Sequence, residues 1–167
     1  MNATIRTRSI GATATAGRDS LPEVTSETGG RLAVVTRPSA EGFNPVDLMA
    51  ASLSSCIVLS VQIAARGEGW LAEIDQVTAR VIPEKADDAP SRVARFVTTV
   101  TIEGPLDDAK KARLVEAAET ICTVSNTLRA GAEIAAGGSA APRARPIDDP
   151  ASGCDAVGIA RSAPTEG

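Results

Sequence analysis

The stretch Gly42–Trp70, GFNPVDLMAASLSSCIVLSVQIAARGEGW, decides the fold. Asn44 is a favoured N-cap, Pro45 fits the first helical position, and Asp47 stands three residues after the cap, in a capping-box position. The 18 residues from Leu48 to Ala65 carry no charge, and Gly67 and Gly69 supply the stop. A run of about 18 apolar residues is the lower limit for crossing a bilayer. Ser52, Ser54, Ser55, Ser60 and Gln62 dilute this one, so the expectation is a helix buried on all sides and no membrane contact. A domain of this size hides such a helix only by wrapping sheet or a second subunit around it, which points to an α+β dimer.

The flanking sequence supplies the sheets. Residues Ala3 to Thr15 are Thr-rich and alternate small or apolar with polar groups, an extended pattern that ends at Gly17-Arg18-Asp19. Val24 to Thr28 and Arg31 to Thr36 flank Gly29-Gly30, a two-residue spacer suited to a tight hairpin. Glu73 to Ile82 and Arg92 to Ile102 read as a second antiparallel pair, joined by an exposed loop, PEKADDAP. Asp107 to Glu119 opens with acids and suits a surface helix whose first turn complements its dipole. From Gly137 onward the chain turns Pro-, Gly- and Ala-rich with no sustained apolar period. The expected organisation is one domain over residues 1–136 and a flexible tail over 137–167.

Composition closes several routes. The net charge is -4, and the aromatic side chains are two Phe and one Trp, so neither phosphate neutralisation nor base stacking is supported and nucleic acid is not an expected partner. The absence of histidine excludes imidazole bases and most zinc chemistry. The N-terminus lacks the apolar core of a secretory signal, so a cytoplasmic protein with resting thiols is expected. Cys56, Cys122 and Cys154 show no C-x-x-C spacing, and no metal or cofactor is assigned. Cys154 lies in the tail and reads as an incidental exposed thiol.

Cys56 is the thiol in the middle of the uncharged run. Helical spacing puts Met49, Ser52, Leu53, Leu59, Ser60 and Ile63 on its face. A lone buried cysteine behaves as a small hydrophobe and is held protonated; reactivity needs a cation nearby and an opening.

Three blocks in register, ATATAGRDS (Ala12 to Ser20), GFNPVDLMAASLSSC (Gly42 to Cys56) and ETICTVSNTLRAG (Glu119 to Gly131), resemble the OsmC/Ohr family of organic hydroperoxide reductases. The resemblance implies an intertwined homodimer whose antiparallel sheets wrap a long buried central helix. It implies that Cys56 attacks an alkyl or fatty-acid hydroperoxide, that Cys122 resolves the product as a disulfide, and that Arg18 approaches the Cys56 sulfur. It also implies re-reduction by a dithiol, a lipoylated protein or dihydrolipoamide. Met49, Leu53 and Ile63 would line the substrate site. Two positions depart from the family pattern: Val46 stands where a glutamate usually pairs with the arginine, and Thr123 where proline often follows the resolving cysteine. Asp47 lies about 180° round the helix from Cys56, so its capping role accounts for it. The alternative reading is a non-catalytic OsmC-like dimer that binds a small apolar ligand or partner.

Overall fold

The computed structural model describes residues 10–37 and 39–135. The chain order is β1 (Ala12–Thr15), β2 (Glu23–Ser26), β3 (Arg31–Ala33), α1 (Pro45–Glu68), a 3-10 turn at Leu71–Glu73, β4 (Gln76–Lys85), β5 (Val93–Glu103), α2 (Asp108–Ile121) and α3 (Thr123–Ala130). The expected strand over residues 3–9, the tail over 137–167 and Cys154 lie outside the described residues.

Both sheets are antiparallel, so the fold is α+β. One has the order β1-β2-β3 and the other pairs β4 with β5, from Gln76 opposite Glu103 to Lys85 opposite Val93. The turn between β2 and β3 is longer than the two glycines suggested. Ser26 and Gly30 close it, Ser26 Oγ accepts from the Gly30 N–H at 2.9 Å, and Gly29 takes a φ of 92° that favours glycine. A bridge between Val34 and Phe43 links the first sheet to the segment that enters α1.

Local chemistry fixes both ends of α1. Asn44 Oδ1 accepts from the Val46 and Asp47 N–H groups at 2.8 and 3.0 Å, and Asp47 Oδ2 accepts from the Asn44 N–H at 3.1 Å. This is the expected capping box, and it accounts for Asp47 fully. At the other end Gly69, in the left-handed region, stops the helix while the Trp70 N–H reaches back to the Ala65 carbonyl at 2.8 Å. Gly67 stays helical, so only one of the two anticipated stop glycines acts.

The inner face of α1, Leu53, Ile57, Val61 and Ala65, recurs every fourth residue and packs on the inward-facing residues of β4 and β5. Leu114 and Ala118 of α2 close the lower part of this core together with Ile102 and Leu106. Within one chain, however, α1 is not buried on all sides. Leu59 and Ile63 on its opposite face are 58% and 56% exposed, because none of the described elements covers that face, and Met49, one turn before Leu53 at the edge of the inner face, is 42% exposed.

The cap at Asn44 sets where α1 starts and so where Cys56 points. Asn44→Ala should lower unfolding stability by about 1 kcal/mol. Denaturant unfolding that shows no loss would mean that packing alone fixes the helix start.

Candidate active site

Cys56 lies at the border between the inner and outer faces of α1, and Cys122 is fully buried beside it in a cluster with Leu53 and Ile57. Ala79, Val81, Phe96, Val100 and Val124 pack around the cluster, so its wall is apolar. Neither cysteine is in a disulfide.

The approach of the two cysteines follows from a break in the chain. α2 stops at Ile121 because Cys122 takes an extended ψ of 102°, and α3 starts immediately after it. The β-branched residues Ile121, Thr123 and Val124 weaken helix continuation here, with no glycine or proline involved. Cys122 Sγ caps α3 by accepting from the Ser125 N–H at 3.4 Å, and Asn126 Nδ2 donates to the Thr120 carbonyl at 2.9 Å, tying the second helix to the end of the first. Ser125 and Asn126 therefore hold the corner through local hydrogen bonds.

This corner sets the ionisation of both thiols. Burial pushes the Cys56 thiol up, but donors outweigh it: the Val124 N–H, the Cys122 thiol, the Ser60 hydroxyl and the Thr123 N–H leave Cys56 below the ordinary thiol value. For Cys122, burial and its hydrogen bond to Cys56 push the thiol up, and the negative charge on Cys56 adds to this. The Ser125 N–H and Ser60 only partly offset these effects, so Cys122 stays above the ordinary value. As pH rises, Cys56 gives up its proton first and Cys122 remains a thiol that donates to the thiolate.

Arg18 is exposed in the turn after β1, and within one chain it is not among the groups that act on Cys56. The sequence reading assigned thiolate stabilisation to this guanidinium; in the protomer the start of α3 and Ser60 supply it. Nothing common in the sequence marks the start of α3, where a cysteine rather than an Asx, Ser or Thr residue caps the helix. The departure at Thr123 has a direct consequence, since proline there would have no N–H to offer.

A cavity of about 720 Å³ lies next to the cluster, with Val46, Met49, Leu53, Phe96 and Leu128 as its apolar lining and Lys85, Arg92, Arg95 and Arg129 as its cationic residues. Of the residues expected to line a substrate site, Met49 and Leu53 line this cavity, whereas Cys56 and Cys122 are not among its lining residues. Ile63 is on the outward face of α1 and does not line this cavity. Val46, at the position of the family glutamate, lines the cavity with apolar surface.

Thr123→Pro isolates one donor. Proline suits the first turn of a helix, and Cys122 already has the extended backbone that proline requires of its predecessor. The variant should fold, and alkylation of Cys56 at neutral pH should slow several-fold, with the rate levelling off at higher pH than in the wild type. An unchanged pH profile would remove this N–H from the account.

Comparisons with known proteins agree with the fold. Comparison with curated protein sequences finds no match. Among solved structures, an OsmC-like protein from Mycoplasma pneumoniae superposes with a TM-score of 0.64 at 17% identity, covering 75% of this chain and 90% of that one. The organic hydroperoxide resistance protein OsmC from Legionella pneumophila gives 0.56 at 20% identity, covering 74% and 90%. The organic hydroperoxide resistance protein OhrB of Bacillus subtilis gives 0.56 at 26% identity, covering 74% and 93%. The family model described as OsmC-like protein matches residues 38–136, more than half of the chain, from before the α1 cap to beyond α3. The chain belongs to the OsmC-like family.

Proposed function

We propose that the protein is a cysteine-based peroxidase that reduces organic hydroperoxides in the cytoplasm. The observation that carries this reading is the packing of two thiols in one apolar cluster, with Cys56 set to ionise more readily than an ordinary thiol and Cys122 less readily. The organic hydroperoxide resistance named for the Bacillus subtilis and Legionella pneumophila proteins points the same way.

The Cys56 thiolate attacks the outer oxygen of ROOH. The O–O bond breaks, RO⁻ leaves and takes a proton to become ROH, and Cys56 becomes a sulfenic acid. Cys122 then attacks the sulfenic sulfur. Its proton leaves with the hydroxyl as water, and a Cys56–Cys122 disulfide forms. A dithiol, a lipoylated protein or dihydrolipoamide, returns the pair to thiols and is itself oxidised to a disulfide. The apolar lining by Val46, Met49, Leu53 and Phe96 favours an organic R group over hydrogen peroxide.

The reading includes a homodimer. Leu59 and Ile63 leave exposed apolar surface on α1 that a second chain would cover. In that assembly Arg18 of the partner subunit would approach Cys56, completing the site with a hydrogen-bonding cation. The opposing reading, a non-catalytic dimer that binds a small apolar ligand, draws on Val46, which leaves Arg18 without the acid that would orient it.

One equivalent of an organic hydroperoxide, added to the reduced protein, should yield a Cys56–Cys122 disulfide by peptide mass spectrometry. Both thiols remaining reduced while peroxide persists would favour the non-catalytic reading. Cys56→Ser should abolish turnover, and Cys122→Ser should allow one attack followed by over-oxidation of Cys56 to the sulfinic acid. Sizing over a dilution series should show a dimer; a folded monomer at all concentrations would overturn that part of the proposal.

A further inference from the structure

The chain carries a net charge of -4, yet the cavity of about 720 Å³ is lined by four cations, Lys85, Arg92, Arg95 and Arg129, and by no acid among the described residues. Three of these cations meet acids that stand outside the lining. Arg92 Nη2 lies 2.9 Å from Asp88, Arg95 Nε lies 2.6 Å from Glu84, and Arg129 is 3.8 Å from Glu119. A guanidinium has five N–H donors in a fork, so a contact through one nitrogen leaves others for a second acceptor. Exposed pairs of this kind are weak, and an entering anion shares them at little cost. Lys85 is in no ion pair among the described residues. A β-bulge between Glu84 and Lys85 sets Lys85 opposite Val93, so Glu84 turns to Arg95 while Lys85 lines the cavity.

Beside this charge the wall is apolar, built by Val46, Met49, Leu53, Phe96 and Leu128. Met49 and Leu128 also line a smaller groove with Leu48 and Val124, so the apolar surface continues between α1 and α3. A free inorganic anion would leave that surface wet, and a neutral apolar molecule would leave four cations unused. We infer that the cavity is a binding site for an anionic amphiphile. Its apolar chain lies on the α1–α3 wall, and its carboxylate or phosphate head group is held by Lys85 and the arginine forks, whose planar donors suit either oxyanion. Lys85 is the cation that selects for the head group, because no acid competes for it. Neither thiol lines the cavity, so the inference stands independently of the peroxidase reading.

Isothermal titration calorimetry of the full chain at neutral pH and low salt, with octanoate, octyl phosphate and 1-octanol as probes, tests this without any peroxide. Both anions should bind, octanol should bind at least about tenfold more weakly, and added salt should weaken the anions alone. The tighter of the two anions identifies the head group, and either order supports the inference. Decanoate should bind about 15-fold more tightly than octanoate, the gain from two further buried methylenes. Lys85 is exposed at the end of β4, so Lys85→Met should fold as the wild type does. That variant should lose about tenfold in affinity for the anions, the effect of one hydrogen bond to a charged group, with octanol unchanged. Thr98→Trp, which fills the cavity from β5, should weaken all three probes. Octanol binding as tightly as the anions would overturn the inference. So would anion binding that is absent, that Lys85→Met leaves unchanged, or that Thr98→Trp leaves unchanged. A protein that binds the anions as described and ignores hydroperoxide would sink the peroxidase reading and leave this inference standing.

Discussion

The site depends on a break between two helices. Had α2 continued past Ile121, the N–H groups of Thr123 and Val124 would have bonded to carbonyls one turn back. Because Cys122 is extended, those donors are released at the start of α3, and a sulfur on α1 receives them. A helix start stabilises negative charge through unpaired N–H groups and the helix dipole together. An otherwise apolar pocket would hold a thiol protonated. The corner reverses that for Cys56 and not for Cys122, whose own sulfur caps the new helix and whose proton is directed at its neighbour.

The rest of the fold holds the corner in place. The capping box at Asn44 and Asp47 fixes the start of α1, and the left-handed Gly69 fixes its end. Trp70, just beyond, lies under the cations of Lys110 and Arg113, while Arg113 pairs with Glu68 at 2.7 Å, so α2 is fastened to the end of α1. Leu114 and Ala118 seal the same contact from within. With α1 and α2 held together there, the end of α2 delivers Cys122 to Cys56 within a common cluster.

The sequence shows how much of this can be read from local chemistry. The α1 cap, the antiparallel β4–β5 pair and the acidic start of α2 all use residues with strong positional preferences, and the structure has them. Cys56 and Cys122 were matched by family resemblance, and the structure packs them together. Two features escaped for physical reasons. The α2–α3 break relies on β-branched residues and a cysteine cap, which no common stop signal announces. The second is the part that the start of α3 plays beside Cys56, which depends on how burial and hydrogen bonding fall in the folded chain. All-round burial of α1 is read from the uncharged run, with sheet or a second subunit as the cover, and the described residues of one chain cover its inner face. Val46 and Thr123, the two departures from the family pattern, are also intelligible together: one removes an acid from the cavity wall, and the other adds an N–H to the thiolate.

The central claim is an order of ionisation, and the most direct measurement is an NMR titration of the reduced protein with carbon-labelled cysteine Cβ atoms assigned by single Cys→Ser variants. Cys56 should lose its proton first, at a pH below that of an ordinary thiol, and Cys122 should follow only above the ordinary range. Cys122 ionising first, or both thiols titrating together in the ordinary range, would contradict the account.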